Sequence, residues 1–69
     1  MEKLEHELRE HIDEELADVH EYHELAKMAE EKGLAKIAHY LNMIAHEEHT
    51  HAKYLMNVLD QLGYDPKKV

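Results

Sequence analysis

The strongest constraint on this chain is how rarely anything interrupts a helix. From Lys3 to Glu31 there is no Gly, no Pro and few β-branched residues, and Glu, Leu, Ala and Lys dominate. Gly33 then stands alone as a left-handed helix end, and a second breaker-free block runs from Leu34 to Leu62. Gly63 and Asp65-Pro66 stop that block and prevent its resumption. The expected organisation is one helical hairpin: helix one over about 3–31, a turn at about 32–34, helix two over about 34–62 and a tail over 63–69, with Lys67-Lys68-Val69 frayed. Each helix would be roughly 40–45 Å long. The link is so short that the helices must be antiparallel neighbours, an all-α fold.

Each block carries an apolar stripe. In helix one it passes through Leu4, Leu8, Ile12, Leu16, Val19, Tyr22, Ala26 and Ala29. In helix two it passes through Leu34, Ile37, Leu41, Ile44, Leu55, Leu59 and Leu62. Glu2, Glu5 and Glu7 suit the positive end of helix one, and Lys27 and Lys32 its negative end. Two helices with one stripe each cannot enclose a core, so pairing them leaves an apolar groove. A second copy would close it. The expected smallest stable unit is a homodimer forming a four-helix bundle, with higher homo-oligomers open.

Three polar residues break these stripes. Glu48 and His51 sit between Ile44 and Leu55, at i and i+3, and Glu15 sits between Ile12 and Val19. An unpaired carboxylate removed from water is costly, so a core Glu is expected to be paired or to hold a metal. In a hairpin folded about Gly33, Glu15 falls level with His51, and Asp18 falls level with Glu48. A twofold dimer would double Glu15, Glu48 and His51 in one layer. That set is the ligand count of a carboxylate-bridged two-metal site, in which two helices give a Glu and two give Glu-x-x-His. Glu48 and its twin would bridge, Glu15 would cap each metal, and His51 would add a nitrogen.

Composition supports a cation. Sixteen acidic residues against eight basic ones give a formal charge of −8, which disfavours nucleic acid and anionic membrane as partners. Eight histidines favour a transition metal over magnesium or calcium. With no cysteine, disulfides and thiolate metal sites are excluded. In a chain of 69 residues, stability is expected from a metal or from oligomerisation. The N-terminus lacks the apolar core of a signal peptide and no run approaches membrane-spanning length, so a cytoplasmic protein is the expectation.

The segment from Glu15 to Lys53 resembles the rubrerythrin and ferritin-like half-bundle. The likeness rests on Glu15, Tyr22 seven residues on, Lys27-Met28-Ala29-Glu30-Glu31-Lys32-Gly33, Ile37-Ala38, and Ala45-x-x-Glu48-x-x-His51-Ala52-Lys53. Members mostly carry four helices in one chain, whereas this chain carries two, as the short encapsulated-ferritin proteins do. The resemblance implies a di-iron site, two iron ions per dimer, and oxidation of ferrous iron by oxygen or peroxide, with Glu15, Glu48 and His51 as the catalytic ligands. Manganese, zinc or another divalent metal on the same ligands would give the alternative, a non-catalytic binding or delivery protein. A third possibility is a structural hairpin whose interface buries polar residues. There is no rubredoxin segment, Ala45 stands where some members have a further Glu, and the sequence over 63–69 does not resemble a shell-targeting tag.

Around this set, Asp18 is positioned to orient His51 through its outer nitrogen, or is a solvated acid. Tyr22 is a core aromatic, or a donor to a ligand Glu. His11 lies near the site's face as an additional ligand or gate. His20, His23, His46 and His49 point sideways or outward, as surface residues or a weak secondary metal set. His46-Glu47-Glu48-His49-Thr50 is not the zinc-protease pattern, because Thr50 stands where the second His is required.

Overall fold

The computed structural model describes residues 2–66, and the tail at Lys67, Lys68 and Val69 lies outside them. Within that range the chain is two helices, α1 (Glu2–Glu31) and α2 (Ala35–Gln61), with no strand. Both ends form as the glycines require. At the first, the Leu34 N–H donates to Ala29 O and the Gly33 N–H to Glu30 O, both at 2.9 Å, with Gly33 at φ 76°. The second repeats the pair, Tyr64 N–H to Leu59 O at 2.9 Å and Gly63 N–H to Asp60 O at 3.0 Å, with Gly63 at φ 89°. This double bond, from the second and first residues past a helix back into its last turn, consumes otherwise orphaned carbonyls. Leu34 therefore caps α2 rather than opening it.

Charge at the helix ends follows expectation on one side only. Glu2 and Glu5 occupy the first turn of α1, but its last turn holds no basic residue. Lys27 comes too early and Lys32 lies just beyond Glu31. Arg9 ties the far end of the hairpin: its Nη2 donates to Asp65 O at 2.9 Å, while its Nε donates to Glu5 Oε2 at 3.0 Å.

The seam between the helices differs from the apolar stripe of α2. Its buried residues are Ala38, Ala45, Ala52 and Leu59, one every seven, facing Ile12, Ala26 and Ala29 of α1. A seven-residue spacing keeps one narrow row turned to an antiparallel neighbour, and alanine lets the two backbones approach. The bulkier stripe residues flank this row. Ile37 remains 49% exposed, and Leu4, Leu16, Leu34 and Leu62 are also exposed. Replacing Ala45, which is fully buried, with Leu should force the helices apart, at a cost of about 1–3 kcal/mol in urea unfolding. Unchanged stability would place the seam elsewhere.

The shape confirms that two helices enclose little. The chain measures 48 × 15 × 15 Å, with a radius of gyration of 14.8 Å. A compact globule of this length would have about 11 Å. At about 100° per residue, exposed Ile37, Tyr40, Val58 and Leu62 of α2 lie within about 80° of Glu48, and exposed Leu4 and Leu25 of α1 lie equally near Glu15. One flank of the hairpin is thus an unpartnered apolar surface with the polar residues set into it. No helix among the described residues is long and apolar enough to cross a membrane.

Candidate metal centre

Glu15 and Ile12 are neighbours on one side of α1, and Glu48 and His51 lie one turn apart on α2. The reversal at Gly33 brings them level. One ligand atom from each of Glu15, Glu48 and His51 lies within 4.8 Å of the others, and no other such group occurs among the described residues. Glu15 Oε2 and His51 Nδ1 are 3.7 Å apart, close enough to attract when the imidazole is charged but too far for a hydrogen bond. The Glu15 side chain is 24% exposed and that of His51 57%. The site is therefore closed by the seam on one side and open on the apolar flank.

Its electrostatics are those of a site short of positive charge. Glu15 Oε2 is shut off from solvent and accepts no hydrogen bond. A carboxylate oxygen with neither water nor a donor is one that a cation would satisfy. Glu48 holds its proton more tightly than an ordinary glutamate. The largest cause is that a protonated Glu48 can donate toward the neighbouring Glu15 carboxylate, followed by partial removal from water and repulsion by the Glu15 charge, while His51 pulls the other way. Two carboxylates and an imidazole are also the donor set that suits iron, manganese or zinc. The residues present fit a metal ion.

The surrounding candidates are placed differently. Asp18 and Tyr22 are half-buried, and neither makes a side-chain hydrogen bond or ion pair with another described residue. His11 is exposed and turned along its own helix, with Nδ1 at 3.9 Å from Glu14. His6 pairs with Glu10 at 3.1 Å, and Thr50 donates to His46 O at 3.0 Å within α2. His20, His23, His46 and His49 are exposed. What sequence reasoning did not resolve is that three of them share a pocket, since their individual outward directions say nothing about convergence.

Built of two helices among the described residues, with a Glu from one helix and Glu-x-x-His from the other meeting at mid-length, the chain falls in the class of carboxylate–histidine proteins able to hold a metal between helices. A protein-family model, Rubrerythrin, matches residues 7–69, and the chain belongs to that family. The family lies in the ferritin-like di-iron superfamily and typically binds iron. No curated protein matches the chain, and no solved structure does.

Proposed function

We propose that two copies of this hairpin form a four-helix bundle whose shared centre binds two iron ions and oxidises ferrous iron with oxygen or peroxide. The observation that carries this reading is the group Glu15, Glu48 and His51, gathered on the flank that a single hairpin leaves open. One chain offers two carboxylates and one imidazole. A twofold partner laid on the apolar flank would double them and bury Ile37, Ile44, Leu55 and Leu62 in the same step.

Glu15, Glu48 and His51 of the two copies would hold two ferrous ions, which would supply two electrons, with two protons from solvent, for reduction of oxygen to hydrogen peroxide or of peroxide to water. The protein's part is to hold and orient. Glu15, with its orphaned Oε2, and Glu48 supply negative charge, and His51 supplies a neutral nitrogen. Glu48, which keeps its proton more readily than an ordinary glutamate, gives that proton up when a cation takes its place. Asp18 makes no hydrogen bond or ion pair with His51 in the single hairpin, and would have to turn toward the outer nitrogen of that ring to fix its tautomer once metal is bound; Tyr22 and His11 stand beside the ligand layer.

The test is anaerobic ferrous loading followed by air, with oxygen uptake, ferric absorption and solution mass measured on one preparation. The expected result is uptake of oxygen, a ferric charge-transfer band and the mass of a dimer or a multiple of it. Iron binding without oxygen uptake would leave the non-catalytic binding reading. A monomer that holds no iron would overturn the proposal.

A further inference from the structure

We propose that the opposite flank carries a second site, built of imidazole alone, in which His23, His46 and His49 bind a divalent transition metal. This side of the seam holds a pocket of about 290 Å³ lined by Val19, His23, Ala45, His46 and His49. Three of those five residues are imidazoles, and the other two are the half-buried Val19 and, from the seam, Ala45. His46 and His49 are one turn apart on α2, and His23 reaches the same place from α1. The site is separate from the carboxylate centre. His23 lies about 80° around α1 from Glu15, and His49 about 100° around α2 from Glu48, both rotated in the opposite sense from the exposed apolar residues Leu25, Ile37, Tyr40 and Val58, with the seam between.

The second observation concerns His23 itself. Its Nδ1 lies 3.1 Å from Asn42 Oδ1, a carbonyl oxygen that can only accept, and with the amide in this orientation the contact is a hydrogen bond when the ring is protonated at Nδ1. In that tautomer the lone pair of the neutral ring is left on Nε2. An imidazole anchored through one nitrogen by a carbonyl is the usual arrangement of a metal-binding His, with the partner fixing tautomer and ring direction. None of His23, His46 and His49 is engaged by a carboxylate among the described residues.

The chemistry of the donors selects the ligand. Neutral nitrogens favour zinc, copper or nickel over magnesium or calcium, whose preferred donors are oxygens. The net charge of −8 draws cations to the whole surface. The nitrogens of the three rings are not drawn together as tightly as the ligand atoms of the carboxylate centre. His46 and His49 are exposed, so closure on an ion would come from rotation of these two side chains toward the anchored His23.

Zinc titration of the Glu48→Gln protein by calorimetry tests this, with Glu15→Gln as a second background and helical circular dichroism as the check on folding. One zinc per chain is expected to remain in both backgrounds. Adding His46→Ala and His49→Ala should weaken it at least tenfold, whereas adding His6→Ala and His39→Ala should not. Ring-nitrogen NMR shifts on zinc addition should fall on His23, His46 and His49. Loss of all zinc binding in the Glu48→Gln and Glu15→Gln proteins, affinity indifferent to His46 and His49, or shifts centred on His6 or His39 would each overturn the proposal.

Discussion

Glu48→Gln is expected to lower iron-dependent oxygen consumption by at least about a hundredfold, because loss of a supporting residue around a metal site already costs 10–100-fold and Glu48 is a direct ligand in the proposed centre. The amide keeps the size and shape of the side chain but not its charge, so the metal loses an anionic donor while the seam of Ala45 and Ala52 is untouched. The same substitution should not lower the melting temperature of the metal-free protein, and should raise it. Without a cation, Glu48 and Glu15 repel each other, and their proximity is what lifts the Glu48 proton affinity. An oxygen electrode and thermal melting in chelator measure the two effects on one sample. Oxygen consumption at the parental rate would remove Glu48 from the centre; a lower metal-free melting temperature would make it a structural residue instead.

The second large effect is expected from metal itself. An ion that binds only the folded form stabilises it by about 2.7 kcal/mol at a free concentration a hundred times its Kd. For a chain of this size that is on the order of 10 °C in melting temperature. The gain should depend on pH in a definite direction. Because the folded state raises the Glu48 pKa, it binds more protons than the unfolded chain around and above the ordinary carboxylate pKa. The metal-free protein is therefore best stabilised by this group below that range, and loses the contribution as pH rises through the elevated folded-state value. Metal binding runs the other way, since the ion must displace the proton. The difference between metal-loaded and chelated melting temperatures should thus widen from about pH 5 to about pH 7. A difference that is absent at neutral pH, or that does not change between the two, would show that Glu15, Glu48 and His51 are not where the ion binds.

Much of this was legible from spacing. Gly33 and Gly63 both adopt positive φ and close paired hydrogen bonds into the preceding helix, as glycines at those positions demand. Folding about Gly33 placed Glu15 level with His51, and the two are 3.7 Å apart. Counting along the axis was less informative for Asp18, which is level with Glu48 but lies about 60° further around α1 than Glu15. It makes no hydrogen bond or ion pair with a described residue. Level and phase are separate coordinates, and folding about a turn fixes only the first.

On α2 the stripe drawn from sequence meets the seam only at Leu59, for a physical reason. Hydrophobicity ranks Ile37 and Ile44 above Ala38 and Ala45, so the stripe drawn from sequence follows the larger side chains. Between two close antiparallel helices, the buried row is chosen by size and seven-residue spacing, and the alanines take it. The large residues then become a flank in need of cover.

By itself the sequence determined two breaker-free helices, the turn between them, and an acid and an acid–histidine pair at matching distances from that turn, because these depend on local backbone preference and on counting. Only the tertiary structure decided which stripe is buried, that Glu15 Oε2 is left without water or donor, and that His23, His46 and His49 line one pocket. Those facts depend on the rotation of each helix about its own axis. That angle is set by how side chains from distant parts of the chain fit together, which neither hydropathy nor spacing encodes.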